Sequence, residues 1–165
     1  MKIGILSEGL GWHLRNWARV IGSSAEVDKV VLSDPSRHNV DMVRQNVGEK
    51  LEGVYASPEA LLKDNKVEMA VIDTAPVITP QAAAAALEAG AHVIVEKPAA
   101  TNTEAYAPVV DLARSKGLLL CMSLIEGPLA RQASKTVSDG ALGRIYGMHY
   151  MWLDYQRWRR RHDMG

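Results

Sequence analysis

The chain has 165 residues, 47% of them hydrophobic and 23% charged, with 19 basic residues balanced by 19 acidic ones. That is enough chain for a domain with its own core, and a formal net charge of zero removes any general electrostatic case for a nucleic-acid partner. The single Cys121 permits no intrachain disulfide and fits a reducing compartment, no apolar run is long enough for a bilayer span, and the N-terminus opens on a strand without a signal-peptide pattern. The expected location is therefore the cytoplasm, with no membrane partner.

Lys2–Ser7 reads as a first strand, followed by the tight turn Glu8-Gly9-Leu10-Gly11. Leu14, Trp17, Ala18 and Ile21 recur at helical spacing and predict a helix from His13 to Ile21, ended by Gly22-Ser23-Ser24. Val27–Ser33 is a second strand closed by Asp34-Pro35, and Arg37–Val47 reads as a helix. Gly53–Tyr55 is a brief third strand. Ser57-Pro58-Glu59 starts a helix, with Ser as N-cap, Pro at the first helical position and an acid near the positive end of the dipole. Met69–Asp73 is a fourth strand with Thr74-Ala75-Pro76 as its exit loop. Pro80–Ala89 is an alanine-rich helix stopped by Gly90, where small side chains let a helix lie close on a sheet.

Ala91 to Val95 is an apolar run that ends on Glu96-Lys97-Pro98. It predicts a buried parallel strand whose carboxyl end delivers Glu96 and Lys97 to a crevice, the place where open α/β sheets bind ligands. Thr101 and Glu104 have capping-box spacing for a helix to about Ser115. Leu118–Met122 is a sixth strand, with Cys121 expected as a buried apolar thiol, and Pro128–Ser138 is a helix closed by Gly140. Alternating strands and helices from Lys2 to Met122 mean an α/β fold with a doubly wound parallel sheet. After Gly143 the character changes. Arg144–Trp158 is rich in Tyr, Met and Trp and suggests a long strand that needs a partner absent from the chain, or a second copy of it. Arg157 to His162 is then a basic end, a solvated terminus or an anion contact.

A dinucleotide fingerprint wants three glycines directly after the first strand, for a tight turn, close approach to the pyrophosphate and close helix packing. The three places here are Ser7, Gly9 and Trp12; a shifted register gives Gly9, Gly11 and Leu14. The following helix N-terminus still offers N–H groups to phosphate. Asp34 ends the second strand, where an acid accepts hydrogen bonds from adenosine ribose hydroxyls; as a turn or N-cap residue it is equally well explained. Its charge repels a 2′-phosphate and favours NAD over NADP, a preference that Arg37 softens. Lys97 is the chemical candidate, since a lysine can position a carbonyl or alcohol or share its proton. Glu96 is expected to hold that ammonium or to touch the cofactor's ribose. His13, His38 and His149 show no metal-ligand spacing and read as surface or packing residues. No nucleophile–base pair stands out.

Thr74-Ala75-Pro76 and the run from Ala86 to Pro98, with its Glu-Lys-Pro ending, resemble the glucose–fructose oxidoreductase/inositol dehydrogenase (Gfo/Idh/MocA) family. Lys116-Gly117-Leu118, Asp139 to Ile145, and Trp158-Arg159 are similar to further family signatures, so the resemblance covers essentially the whole chain. Pro76 and Thr79 stand where the family has Asn and His. The resemblance implies a Rossmann domain over 1–123 that binds NAD or NADP. It implies that 124–165 are the linker helix and first strand of an α/β second domain completed beyond Gly165. It implies hydride transfer between nicotinamide and a sugar or polyol alcohol, and homo-oligomers formed through the second-domain sheet. Carried over by position, Lys97 is the catalytic lysine. Ser7, Gly9, Leu10, Gly11, Trp12, Asp34, Thr74, Ala75, Pro76, Glu96, Lys97 itself, Trp158 and Arg159 are cofactor contacts. The chain alone is then expected to bind nucleotide without turning over substrate. The alternatives are a catalytically inactive nucleotide-binding or regulatory module, and a structural subunit that lends its aromatic tail to another sheet.

Overall fold

Six short apolar runs become the strands of one parallel sheet in the computed structural model, which describes residues 1–8, 13–123, 128–147 and 149. The strands are β1 (Lys2–Ser7), β2 (Lys29–Ser33), β3 (Leu51–Tyr55), β4 (Met69–Asp73), β5 (His92–Val95) and β6 (Leu120–Met122). The helices are α1 (Leu14–Ser23), α2 (Val40–Val47), α3 (Pro58–Asp64), α4 (Thr79–Glu88), α5 (Thr103–Lys116) and α6 (Pro128–Ser138). The chain divides into two compact units, Met1–Leu124 and Ile125–Gly165. The first holds the whole sheet, in the order β3-β2-β1-β4-β5-β6, with every neighbouring pair parallel. This is the doubly wound order of a Rossmann fold, whose connections reverse between β1 and β4 and open a crevice there.

Strand parity divides the core. Ile3, Ile5, Val30, Leu32 and Val71 face α1 and α2, burying Leu14, Ala18, Ile21, Val40, Val43 and Val47. Leu6, Val31, Ala70, Ile72, Val93 and Val95 face the other way, against Leu61 of α3, the alanines of α4, and Val109 and Ala113 of α5. Both faces of the central strands are covered, which is why they read as unbroken apolar runs rather than alternating ones.

Ser57 caps α3 as its sequence signature predicts: its side chain accepts from the Ala60 N–H, with Pro58 at the first helical position. Ser57→Ala should cost about 1 kcal/mol, read as a lowered urea midpoint with an unchanged slope.

Four expectations need correction. The second helix starts at Val40, not Arg37. The Asp34 carboxylate accepts from Ser36 Oγ at 2.7 Å and Asn39 N–H at 2.8 Å, closing a turn in which Arg37 takes φ 56°. The cap of α5 is Asn102, whose side chain accepts from the Ala105 N–H, and not Thr101. Cys121 is exposed because β6 is the edge strand of the sheet. In the second unit α6 forms as expected, but residues 144–147 and 149 form no strand. The rest of the expected long strand lies outside the described residues.

Candidate functional site

The register of the sheet gathers polar side chains at its carboxyl crest. Ser7 pairs with Asp73 across β1 and β4, and Leu6 pairs with Ser33 across β1 and β2. Ile72 pairs with Val95, and the Glu96 N–H donates to the Ile72 carbonyl at 2.8 Å. Asp34, Ser7, Asp73 and Glu96 therefore end four adjacent strands at one level. Alternation places all four on the α1–α2 face, two residues beyond Leu32, Ile5, Val71 and Ile94. All four are buried.

Glu96 is held by nitrogen donors. The Trp17 indole Nε1 donates to its Oε1 at 2.8 Å, and the Lys97 backbone N–H donates to Oε2 at 3.2 Å. His13 Nδ1 stands 3.9 Å from the same Oε2. The expectation that Glu96 clasps the Lys97 ammonium is corrected: Lys97 is exposed, and its Nζ makes no ion pair or hydrogen bond with any described residue. The turn that follows contains a cis Lys97–Pro98 peptide.

Asp73 Oδ2 is buried with no hydrogen-bond partner among the described residues. Burial raises its pKa first, and the neighbouring Glu96 charge raises it further; His13, the Leu14 N–H and Lys97 pull it down. Its folded value thus lies above its unfolded one. The folded state loses stability as pH rises from the ordinary carboxylate range through that raised value. Asp73→Asn should remove the loss, so thermal melts of the variant and the parent should diverge as pH increases and converge in acid.

The exit loop of β4 is tied to β1 and α4. The Ala75 N–H donates to Glu8 Oε2 at 3.0 Å, and the Thr74 and Thr79 hydroxyls lie 2.9 Å apart. Pro76 follows in the turn that leads into α4. At the other end of the crest Asp34 spends one oxygen on Ser36 and the other on Asn39, with no exposed surface, and the Asn39 side-chain nitrogen is buried without a partner. Gly9, Leu10, Gly11, Trp12, Trp158 and Arg159 lie outside the described residues.

Sequence reasoning thus brought Ser7, Asp34, Thr74, Glu96 and Lys97 to one crest and missed Asp73, Asn39, His13 and Trp17. A signal for Asp73 was present: three apolar runs end in an acid, at Asp34, Asp73 and Glu96. His13 and Trp17 gave none, because their helix meets Glu96 only through the register of the sheet.

Residues 3–124 match the Gfo/Idh/MocA family, an oxidoreductase family with an NAD-binding Rossmann fold. The chain belongs to that family. Among curated relatives, an uncharacterized oxidoreductase of Schizosaccharomyces pombe is 33% identical over 95 residues, which are 56% of this chain and 26% of the relative. A dTDP-3,4-didehydro-2,6-dideoxy-α-D-glucose 3-reductase of Actinomadura kijaniata is 31% identical over 100 residues, 59% of this chain and 29% of that protein. Among solved structures, scyllo-inositol dehydrogenase of Lactobacillus casei, crystallised with NAD(H) and scyllo-inositol, superposes with a TM-score of 0.74 at 21% identity. It covers 87% of this chain and 42% of its own. That likeness carries the fold. The chain spans about a quarter of the first curated relative and about two fifths of the solved structure.

Proposed function

We propose that this chain is the cofactor-binding part of an NAD(P)-dependent oxidoreductase that moves a hydride between nicotinamide and an alcohol carbon of a sugar or polyol. The observation that carries the reading is Lys97. Its ammonium, unpaired among the described residues, stands at the carboxyl end of β5, beside the β1–β4 reversal where this fold binds ligands. Two orphaned atoms fit a dinucleotide across the crest. The Asn39 side-chain nitrogen is a buried donor at the β2 end, and Asp73 Oδ2 is a buried acceptor at the β4 end. An adenosine and a nicotinamide ribose offer the matching acceptor and donor groups.

Within that reading the chain's residues divide the work. Ser7, Gly9, Leu10, Gly11, Trp12 and the start of α1 take the diphosphate. Asp34 organises the β2 turn, where exposed Arg37 accommodates a 2′-phosphate, so both NAD and NADP are accepted and the repulsive charge of Asp34 favours NAD. Thr74, Ala75 and Pro76 line the nucleotide, Glu96 keeps its place through Trp17, and Trp158 and Arg159 are further cofactor contacts in this reading. Lys97 orients the substrate oxygen and holds or releases its proton at Nζ. A bound nicotinamide supplies the hydride acceptor or donor. Homo-oligomers form through the second domain, and the cell compartment is the cytoplasm; no helix among the described residues is long and apolar enough to cross a membrane.

The test is direct binding of NADH and NADPH to the chain, followed by fluorescence of the reduced ring. Saturable binding of either supports the reading. Binding of neither leaves a structural subunit as the better account. Asp34 gives a second reading its footing, since both its oxygens are already bonded within its own turn. A nucleotide-binding module without catalysis would bind as readily and show no turnover in the intact protein.

A further inference from the structure

We infer that Asp73 makes the β4–β5 end of the crest select the oxidised dinucleotide, whose nicotinamide ring is cationic, over the reduced one, whose ring is neutral. This rests on the dinucleotide reading proposed above. The adenosine end falls at β2, beside Asn39, and the diphosphate at the start of α1, so the ring falls over β4 and β5.

There two carboxyl side chains, Asp73 and Glu96, end neighbouring strands. Asp73 and Glu96 are each only 7% exposed. The donors to Glu96 are N–H groups, the Trp17 indole and the Lys97 amide. Asp73 Oδ2 has no hydrogen-bond partner among the described residues. Facing Asp73 are Glu96 and Lys97 from the end of β5 and His13 from the approach to α1, with Glu8 beyond β1 tied to the Ala75 amide. Lys97 is exposed, so solvent screens its charge more than those of the buried pair. A bare anionic oxygen in that setting calls for a donor or a positive charge. Oxidised and reduced dinucleotides share their phosphates and riboses and differ by one charge on the ring. The change in the ratio of their dissociation constants between parent and variant therefore reads this charge.

The experiment measures dissociation constants of the full chain for NAD⁺ and NADH, or for NADP⁺ and NADPH if that pair is the one bound, in parent and Asp73→Asn. The amide removes the charge. The parent should bind the oxidised form more tightly than the reduced one, and the variant should lose about tenfold of that preference. The parent's preference should also shrink as pH falls and Asp73 takes up its proton. An unchanged ratio in a folded Asp73→Asn overturns the inference while leaving the dinucleotide reading intact. If the variant does not fold, a parent ratio that is constant with pH overturns it equally. Failure of the parent to bind either form defeats the underlying reading, and this inference with it.

Discussion

Lys97→Ala in the intact protein should lower kcat by about 10²–10⁴-fold, the usual worth of a positioned proton-transfer group, with NADH affinity nearly unchanged. The reason is local. Lys97 is exposed, and its ammonium bonds to none of the described residues, so truncation empties no packed space and breaks no ion pair among them. Only its backbone N–H supports the crest, through Glu96 Oε2 at 3.2 Å, and alanine keeps that N–H. Lys97→Arg should not rescue turnover, because a guanidinium does not give up its proton. The split between kcat and cofactor affinity is the informative readout. A loss of NADH binding in Lys97→Ala would mean that the lysine serves the cofactor instead, and unchanged turnover would remove it from the chemistry.

Gly22→Ala should destabilise the first unit by about 2 kcal/mol net. Helix propensity alone predicts the opposite, since Ala is better than Gly inside a helix by about 1 kcal/mol. Packing decides the sign. At Gly22 a methyl would overlap the Asn46 carbonyl oxygen and stand 2.9 Å from its carbonyl carbon and 3.2 Å from Val47 Cα. Those are backbone atoms of α2, so no side chain can swing aside. Overpacking of this kind costs about 1–3 kcal/mol, and a backbone obstacle puts it at the upper end. The crossing of α1 over α2 would have to open. That crossing also aims Trp17 at Glu96, so part of the cost should appear at the crest. The measurement is a thermal melt, with a fall of roughly 5–10 °C in Tm expected. A rise would mean that α1 and α2 separate without cost.

The parallel sheet could be read from the chain because each strand is a short apolar run bounded by turn residues and separated from the next by a helical pattern. Helix ends were read less well where a side chain bonds to nearby backbone. Asp34 draws residues 35–39 into its own turn and delays α2, and Asn102 takes the capping place one residue after Thr101. The edge position of β6, which exposes Cys121, is a property of strand order and is invisible in the strand itself.

The site divides along the same line. Lys97, Glu96 and Asp34 could be located because each ends an apolar run. What they bond to could not, since Trp17 and Glu96 are 79 positions apart and meet only when β5 is laid two strands from β1. The aromatic tail made large side chains plain without indicating what covers them. Glu96 illustrates the difference most clearly: sequence proximity suggested a pair with the adjacent ammonium, whereas packing gives it an indole.

The most direct test of the account is titration of the chain with NADH while following backbone amide and Trp17 indole chemical shifts. Saturable changes at Ser7, Asn39, Asp73, Thr74, Glu96, Lys97 and the Trp17 indole are predicted, in one binding event. Changes confined to the opposite edge of the sheet, around Lys2, Glu68 and His92, or none at saturating NADH and NADPH, would contradict a dinucleotide lying across this crest.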